Sequence, residues 1–578
     1  MRTIVNPQQQ RLFDPFDSVL TPATRKHLLD GWQGVFRHVL LELMPVGALS
    51  EHFDPVMGRP SKELYSMAGL IFLKECFHWI KDEALTAYRF HMDIHYALNL
   101  EPVAHDISVR TFERNIARFE TDELAKAIMM DVTMRLVGLL EIHIDQQRLD
   151  STHIFSDMAS FGRTRLMGVA IKRFLKRVKG QDSEAYEALD ESLRQRYASG
   201  VNQLFANVAK DTDSRRLLRQ QVAEDMHTLL KHFANHPQHS TQDTYKKLER
   251  IFYEQCDVQE DKVAVKAKTG GNVMQNPSDS GATFDGHKGP GYQVQLAETC
   301  NPENEVQLIT CAIPQTAVEP DCDAVEPVLA DLEQTSLLPD QLLGDTHYCS
   351  DDNVQKAKHR GVELVGPVSG SDKANEDASY MRVTIDDFDI NEQTEEVKCC
   401  PVGCTPDSSV HDEQTEKTTT VMPESACSQC EFFEQCPVKK CKGQYRLEHT
   451  SKQRRLAARR REQETEVFKE RYKIRGGIEG TNSGLKRTTG LGQLRVRGRP
   501  AVYHAIYLKV AGWNMRRATA CAKMREFVHK KAAAAVFYLN FVFLRLQMRP
   551  QSGRVRAKNQ ILQYVPQIEK FSTLSEAA

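Results

Sequence analysis

The sequence predicts an α/β core that follows an all-α N-terminal domain and is interrupted by a helical and a Cys-rich insertion. Three observations lead to this fold class. Apolar residues recur at helical spacing within 61–135, strand-like and helix-like segments alternate between 257 and 368, and polar segments of other composition separate these regions. At roughly 100–200 residues per domain, 578 residues allow about three or four domains.

The N-terminal domain is predicted to span residues 1–137. Leu64, Met67 and Leu70 begin an apolar face at helical spacing, and residues 84–96 continue it. Plain packing of helices explains this pattern, and a helix-turn-helix within the domain is an alternative interpretation. We therefore expect a helical domain at this end of the chain.

The α/β core is predicted from short strands and one helix. Apolar and polar residues largely alternate over Leu139–Leu149, as in a half-buried strand, and Asp150 ends this segment. Residues 184–256 are rich in Glu, Arg, Leu and Gln and are predicted to be a helical insertion, because strand-like segments resume only after them. Later strands are expected at 262–268, 292–297, 307–313, 341–343 and 364–368, with a helix at 324–332.

The remaining segments differ from the core in composition. A strongly basic helix is expected over Arg454–Lys473. The most apolar stretch, 532–544, is too short to span a bilayer and is predicted to be a buried helix. The predicted boundaries are 138–183 and 257–368 for the core, 184–256 for the helical insertion, 369–450 for the Cys-rich insertion, 451–525 for the basic region and 526–578 for the C-terminal tail.

Charge is distributed unevenly along the chain. The net formal charge is −2, but residues 441–578 carry 30 Lys and Arg against 9 Asp and Glu, which leaves a net of −23 on residues 1–440. A solvated charged surface would account for part of the basic excess. So large an excess repels itself unless a partner neutralises it, and this asymmetry therefore favours a polyanion such as nucleic acid.

Cysteine content and apolar patterning indicate the compartment. Residues 1–20 contain no apolar run of signal-peptide length. Fourteen cysteines without an export signal favour reduced thiols or metal ligands over disulfides. We expect a cytoplasmic protein.

Three acidic residues occur in contexts that suit metal-dependent phosphodiester chemistry. Asp150 and Asp345 each follow a predicted strand, and strand ends can bring carboxylates to one point. Two Mg²⁺ ions about 3.5–4 Å apart, held by such oxygens, activate an attacking oxygen and stabilise a leaving one. Because Asp is also a common turn former after strands, each Asp alone is weak support.

The third acid, Glu479, lies in a more specific pattern. Tyr472, Arg475, Glu479 and Lys486 stand at offsets that place them on one helix face at about 3.6 residues per turn. Such a face presents an acid flanked by cationic groups, which suits a metal ion beside phosphates. Three nearby glycines argue against a helix that is stable alone, so tertiary contacts must hold it.

The spacing Tyr-x2-Arg-x3-Glu-x6-Lys resembles the motif around the catalytic Glu of bacterial insertion-sequence DDE transposases of the four/five-like superfamily. Residues 149–152, Leu-Asp-Ser-Thr, resemble the first-Asp motif of that family. Residues 344–348 resemble the second, with His347 where Gly is more usual. Similar segments at 58–60, 275–279 and 287–295 extend the resemblance over most of residues 50–515.

The resemblance implies an RNase H-like core in which Asp150, Asp345 and Glu479 are the catalytic ligands of two Mg²⁺ or Mn²⁺ ions. It also implies cleavage of element ends, strand transfer into target DNA, end binding by the N-terminal domain, a homodimer on two double-stranded ends, and nucleoid association when bound. The residues expected to contact DNA are Tyr472, Arg475 and Lys486 from the resemblance, and Arg454, Arg455, Arg459, Arg460 and Arg487 from the basic segments around Glu479.

A cysteine cluster precedes the basic helix. Seven of the fourteen cysteines fall within residues 399–441, and their short paired spacings suit tetrahedral Zn²⁺. Reduced thiols of a decayed metal site are the alternative interpretation. The preferred ligand set is Cys400 or Cys404 together with Cys427, Cys430 and Cys436.

Two other classes of function stay open on the sequence. A domesticated or decayed DNA-binding protein would have lost catalysis, which three intact acidic residues disfavour. A nuclease of the same fold would cut DNA without strand transfer, and its active site would have the same residues. Terminal inverted repeats flanking the coding region would separate this nuclease from a transposase.

Overall fold

The computed structural model describes residues 1–7, 14–206, 208–209, 211–369, 383–391 and 393–533, without the side chains of 201 and 202. The described part of the chain divides into two compact units. One contains Met1–Ile71, Lys81–Glu113 and the described residues from Ala518 onward, and the other contains Phe72–Ile80 and Arg114–Arg517. The apolar segment 532–544, predicted as a buried helix, falls largely outside the described residues. Within those residues, every helix is too short or too polar to cross a membrane.

The N-terminal part of the chain is helical, as the apolar spacing within 61–135 predicts. Its α-helices are α1 (Pro22–Asp30), α2 (Trp32–Val35), α3 (Val46–Glu51), α4 (Leu64–Cys76), α5 (Lys81–Phe90), α6 (Met92–Ala97), α7 (Val109–Thr121) and α8 (Leu124–Leu140). The hydroxyl of Thr21 caps α1 by accepting a hydrogen bond from the Thr24 N–H. Helix α8 ends where Glu141 adopts a left-handed conformation, with φ of 53°.

The first strand of the core, β1 (Gln146–Ile154), begins later than the sequence predicts. The strand predicted over Leu139–Leu149 is wrong in its position, because α8 extends to Leu140 and a short link precedes residue 146. The apolar and polar alternation before residue 146 therefore belongs to a helix end and its link. Asp150 lies in the middle of β1 rather than at its end, since strand pairing continues to Ile154.

A group of helices follows β1, consisting of α9 (Arg163–Gln181), α10 (Ser183–Glu187), α11 (Glu191–Ala198), α12 (Thr212–Phe233) and α13 (Asp243–Gln255). One apolar cluster that includes Phe174, Phe233 and Phe252 holds these helices together. They begin at Arg163, earlier than the predicted 184. The strand predicted at 262–268 is not part of the core sheet, because β2 (Cys256–Gln259) and β3 (Lys262–Val265) pair only with each other.

Of the remaining core elements, the four strands and the helix that the sequence predicts lie within a few residues of their predicted positions, whereas the strand over Thr283–Asp285 and the helix over Asp351–His359 were not predicted. In chain order, these core elements are β4 (Thr283–Asp285), β5 (Gly289–Thr299), β6 (Ile309–Thr316), α14 (Val325–Gln334), β7 (Gln341–Leu343), α15 (Asp351–His359) and β8 (Glu363–Val365). Strands β6, β5 and β1 pair antiparallel in that order, and β1, β7 and β8 pair parallel. Strand β4 adds to β5, so that the molecule contains a six-stranded mixed sheet of an α/β fold.

The register of two parallel strands positions the predicted acidic residues. Arg148 on β1 is the pairing partner of Leu343 on β7. Asp150 and Asp345 each lie two residues further along their own chains from this pair. Because parallel neighbours advance together, the two carboxyl groups lie at the same edge of the sheet.

The Cys-rich segment folds into small antiparallel sheets. Its elements are β9 (Asp389–Ile390), β10 (Val397–Cys399), β11 (Ser408–Asp412), β12 (Lys417–Met422), α16 (Glu424–Cys427), β13 (Lys439–Cys441) and β14 (Gln444–Thr450). Four of the strands form a sheet in the order β11-β12-β14-β13, and β9 pairs with β10. A small apolar cluster that includes Met422 and Leu447 packs inside this segment.

Four helices complete the described chain of the larger unit: α17 (Ser451–Glu464), α18 (Glu466–Lys473), α19 (Gly477–Thr489) and α20 (Arg499–Thr519). The basic helix predicted over Arg454–Lys473 is divided at Thr465, whose side chain caps α18 by accepting from the Phe468 N–H. A 3-10 turn over Ile474–Gly476 then joins α18 to α19.

Candidate active site

Three acidic side chains from separate parts of the chain converge on one guanidinium group. Nη2 of Arg475 donates to Oδ1 of Asp150 at 2.9 Å and lies 3.7 Å from Oδ2 of Asp345. Nη1 of Arg475 donates to Oε1 of Glu479 at 3.3 Å. The structure therefore brings together the three acids that the sequence predicts as catalytic, and it places Arg475 between them.

The three carboxyl groups differ in their exposure to solvent. The side chains of Asp150, Asp345 and Glu479 are 17%, 30% and 70% exposed. Burial raises the pKa of Asp150 and outweighs the lowering effect of the neighbouring Arg475. The site is thus half-buried at the sheet and open to solvent at the helix that carries Glu479.

Polar groups around the acids fix their orientation. Nδ2 of Asn482 on α19 donates to Oδ2 of Asp150 at 2.9 Å. The Oδ1 atom of Asn482 is buried and has no hydrogen-bond partner among the described residues. The backbone N–H of His347 donates to Oδ1 of Asp345 at 2.8 Å, while the His347 side chain itself is exposed. The departure from Gly at this position therefore leaves the geometry of Asp345 intact.

The predicted helix face is only partly continuous. Tyr472 lies on α18 and Glu479 on α19, with the 3-10 turn that contains Arg475 between them. Tyr472 stacks on Phe468, and its burial raises the pKa of the phenol. The prediction that these residues share one face of a regular helix was therefore inexact, although the turn still brings Arg475 to Glu479.

Lys486 lies further along α19 and is half-buried. Burial lowers the pKa of Lys486, and the nearby positive charge of Lys288 lowers it further, whereas Asp150 raises it. Lys288 follows the tight turn that precedes β5 and is exposed. The sequence resemblance covers Lys288 without assigning it a role, and only the structure shows that it shares the electrostatic environment of Lys486.

A buried ion pair holds α19 and the 3-10 turn that precedes it against the sheet. Nε and Nη2 of Arg148 donate to Oε2 of Glu298 at 2.8 and 2.6 Å, which joins β1 to β5. Nη1 of Arg148 also donates to the carbonyl of Ile474 at 2.8 Å, and the Thr481 hydroxyl donates to Oε1 of Glu298 at 2.7 Å. The pair thus holds both the 3-10 turn and α19 beside Asp150.

This ion pair explains one glycine of the α19 segment. A Cβ atom at Gly477 would overlap the guanidinium of Arg148, whereas a Cβ at Gly480 would meet nothing within 4 Å. We expect Gly477→Ala to lower the free energy of unfolding by about 1–3 kcal/mol, because the Arg148 side chain must shift. Gly480→Ala is the matched control and is expected to raise it by up to about 1 kcal/mol, since Ala favours the helix. Urea unfolding of both variants measures the difference, and equal effects would contradict the packing role of Gly477.

The arginines of α17 that the sequence predicts as DNA contacts have partners inside the chain. Arg454 pairs with Glu395 at 2.7 Å, and Arg455 pairs with Asp351 at 2.7 Å. Arg459 donates to the backbone carbonyls of Cys349 and Gly366, at 3.1 and 3.2 Å. These arginines dock α17 onto the core and its Cys-rich neighbour. A DNA-binding role for them, as for half-buried Arg460 and exposed Arg487, stays a prediction.

The five cysteines of the predicted zinc set lie close together. Cys400, Cys427 and Cys430 line two adjoining concavities, one of which also contains Cys404 and the other Cys436. The backbone N–H of Cys404 lies 3.4 Å from Sγ of Cys400. Burial, followed by the neighbouring thiols, raises the pKa of Cys427 to about 11. The thiols are thus grouped, and the charge of one thiolate disfavours the next unless a cation is bound.

Comparisons with known proteins match one part of the chain to a described family. Residues 399–519 match the family described as Transposase DDE domain, a range that contains Glu479, Arg475 and the cysteines but neither Asp150 nor Asp345. The cryo-EM structure of a piggyBac transposase synaptic complex with hairpin DNA is similar over 68% of this chain and 73% of that chain, at 10% identity and a TM-score of 0.19. No curated protein matches this sequence.

Proposed function

We propose that this chain, which carries a transposase DDE domain and is thereby a DNA transposase, cuts the ends of a mobile element and transfers them into target DNA. The observation that carries the proposal is the convergence of Asp150, Asp345 and Glu479 on Arg475. Asp150 comes from β1, Asp345 from the residues that follow β7 in the same sheet, and Glu479 from a helix within the matched domain. Their chemistry is the type that phosphodiester cleavage requires.

The strand order supports an RNase H-like core for this enzyme. Three antiparallel strands, β6, β5 and β1, are followed by β7 and β8, which run parallel to β1. In this order β1 is central, and Asp150 in its middle lies beside Asp345 after β7. The helix that brings Glu479 comes after the Cys-rich segment, which fits the position of an insertion in the core.

The donor set of the site fits Mg²⁺ or Mn²⁺, two ions of which we propose as cofactors. Asp150, Asp345 and Glu479 would hold them through carboxylate oxygens, which hard cations prefer, and the unpartnered Oδ1 of Asn482 offers one more oxygen. When bound, such ions activate the attacking oxygen and stabilise the leaving oxygen of a phosphodiester. Arg475 offsets part of the negative charge of the three acids in this structure and is placed to exchange those contacts for a phosphate.

The partners proposed for the enzyme are double-stranded DNA of the element's terminal inverted repeats and target DNA. A homodimer on two paired ends is part of the proposal, because both ends must be cut and joined together. We also propose that the protein is cytoplasmic and associates with the nucleoid when it is bound to DNA. The half-buried Lys486, which interacts electrostatically with Asp150, and the exposed Lys288 near Lys486 supply positive charge that attracts a phosphate backbone.

The role of the two lysines gives a testable prediction. Lys486→Ala and Lys288→Ala are each expected to weaken binding to the element's ends and to reduce the slope of log K against log salt by about 0.9, because each removes one phosphate contact. Lys246→Ala on the exposed side of α13 is the control and is expected to leave the slope unchanged. Fluorescence anisotropy at several salt concentrations measures all three. An unchanged slope in both variants would exclude these lysines from the DNA interface.

A cleavage and strand-transfer assay on the element's own ends, with Mg²⁺ or Mn²⁺, tests the proposed reaction. In the first step a water oxygen attacks the phosphorus and frees a 3′-OH, and in the second that 3′-OH attacks target DNA. Cleavage with joined products supports the transposase. Cleavage without joining indicates a nuclease, and binding without cleavage indicates a catalytically decayed protein.

We propose that the grouped cysteines hold one structural Zn²⁺. Their segment has only a small apolar cluster, and a metal would stabilise a fold that cannot build a large core. Cys427→Ser is expected to lower the zinc content by about one equivalent per chain. Cys521→Ser is the control, because that thiol is buried in another part of the chain. Zinc measured by mass spectrometry on purified protein decides, and equal contents in wild type and Cys427→Ser would reject the site.

A further inference from the structure

A second group of metal-ligating side chains lies in the helical region that follows β1. Oδ2 of Asp182 is 3.8 Å from Nε2 of His236 and 3.6 Å from Nε2 of His239. Among the residues that the structure describes, these form the one group of three His, Cys, Asp or Glu side chains whose ligand atoms all lie within 4.8 Å of one another. Asp182 lies between α9 and α10, and both histidines lie between α12 and α13.

The spacing of these atoms is that of ligands around an ion rather than that of a hydrogen-bonded pair. A direct N–H to O hydrogen bond needs about 2.7–3.2 Å, and both Asp182 distances exceed this range. Ligand atoms that surround tetrahedral Zn²⁺ at about 2.0–2.2 Å are separated by roughly 3.3–3.6 Å. The observed 3.6 and 3.8 Å therefore place the three atoms close to the positions that one shared cation requires.

Burial makes the arrangement costly without a partner. The His239 side chain is completely buried, and its Nε2 atom has no hydrogen-bond partner among the described residues. An unsatisfied buried polar atom destabilises the folded state. Because Nε2 of His239 is directed toward Asp182, a cation between them would satisfy it.

Neighbouring groups prepare these side chains for binding. Oδ1 of Asp182 accepts from the Ala185 N–H at 2.9 Å, which caps α10 and leaves Oδ2 facing the histidines. Nε2 of Gln242 lies 2.9 Å from Nδ1 of His239, and Oε1 of the same amide is buried without a hydrogen-bond partner among the described residues. Rotation of the amide by about 180° on metal binding would bring this oxygen to the ring and place the proton of His239 on Nδ1. Nδ1 of His236 has only a long contact, 3.3 Å, from the His239 N–H. If the proton of His236 moves to Nδ1, this long contact is lost at little cost, and Nε2 of His236 is then free to bind a metal ion.

We propose that Asp182, His236 and His239 bind a divalent transition-metal ion, for which Zn²⁺ is the probe. Two imidazoles and one carboxylate suit Zn²⁺ and disfavour Mg²⁺, which prefers oxygen ligands. Asp182 and His236 are about 30% exposed, so that water can complete the coordination. The ion would join the end of α9 to the link between α12 and α13. This site is separate from the carboxylates of the proposed active site and from the grouped cysteines.

Full-length protein in a Cys427→Ser/Cys430→Ser background provides the test, because the cysteine site is then removed. After chelation and reloading, we expect about one equivalent of Zn²⁺ per chain, and Co²⁺ spectra without thiolate charge-transfer bands. Asp182→Asn is expected to reduce bound Zn²⁺ at least about tenfold. This variant keeps the cap of α10, since Asn is as good an N-cap as Asp, so that loss of metal is not loss of folding.

Matched histidine variants complete the test. His236→Gln is expected to lose the metal in the same way, whereas His232→Gln, an exposed histidine at the end of α12, is expected to retain it. Absence of Zn²⁺ from the reloaded cysteine double variant, or equal Zn²⁺ in Asp182→Asn, would overturn the proposal. Zinc content is measured without DNA, so that absence of Zn²⁺ would not argue against the proposed transposase activity. In the same way, failure of the cleavage assay would not argue against this metal site.

Discussion

Asp150→Asn is expected to reduce cleavage of element ends by at least about 10³-fold while DNA binding is retained. The substitution preserves the size of the side chain and an oxygen for the Asn482 amide, but it removes the charge that faces Arg475. An arginine finger that stabilises the charge of a transferring phosphoryl group contributes about 10³–10⁵-fold to the rate, and an acid that holds the metal ions for the same purpose is expected to contribute at least the lower end of this range. Asp345→Asn and Glu479→Gln are expected to have effects of the same size, because all three acids converge on one point.

Two acidic residues that lie near these elements in the sequence serve as controls. Asp145 is exposed just before β1, and Glu470 is exposed on α18. Asp145→Asn and Glu470→Gln are expected to cleave at the wild-type rate. Gel assays of cleavage, with anisotropy for DNA binding, measure all five variants. If Asp150→Asn, Asp345→Asn or Glu479→Gln cleaved at the wild-type rate, the substituted acid would not be a metal ligand.

Most strands of the core could be predicted because they are short, apolar and bounded by polar turns. Strands β5 to β8 lie where the sequence places them, and the burial of their side chains explains the strong apolar pattern. The predicted position of β1 was displaced because apolar and polar residues also alternate over 139–144, at the end of α8 and in the link that follows it. The sheet of the Cys-rich segment was missed because its strands are rich in Ser, Thr and Lys and bury only one face.

The candidate site was predictable where its residues are close in sequence. Arg475 and Glu479 are four residues apart, and their contact follows from helical geometry even across the 3-10 turn. The contact of Arg475 with Asp150 spans 325 residues and depends on the strand register, which no local pattern encodes. The ion pair of Arg148 and Glu298 could not be predicted from the sequence for the same reason, because the two residues are 150 residues apart.

That ion pair has the largest stability effect that we expect in this protein. Glu298→Ala should lower the free energy of unfolding by about 3–5 kcal/mol, because the completely buried carboxylate is lost and the 9% exposed guanidinium of Arg148 stays without its charge partner. Thr481 would also lose its acceptor on Glu298. Since Arg148 holds the carbonyl of Ile474 as well, its displacement should loosen the turn that carries Arg475 and lower cleavage as a secondary effect.

An exposed pair in the same chain provides the comparison. Lys417 and Glu448 form a cross-strand ion pair whose side chains are 44% and 50% exposed, and Glu448→Ala should be much less destabilising than Glu298→Ala, because water screens an exposed pair. Glu298→Gln should fall between the two, because it keeps hydrogen-bond acceptance and loses the charge. Urea unfolding of the three variants gives the order. If Glu298→Ala proved no more destabilising than Glu448→Ala, the buried pair would not be what holds α19 against the sheet.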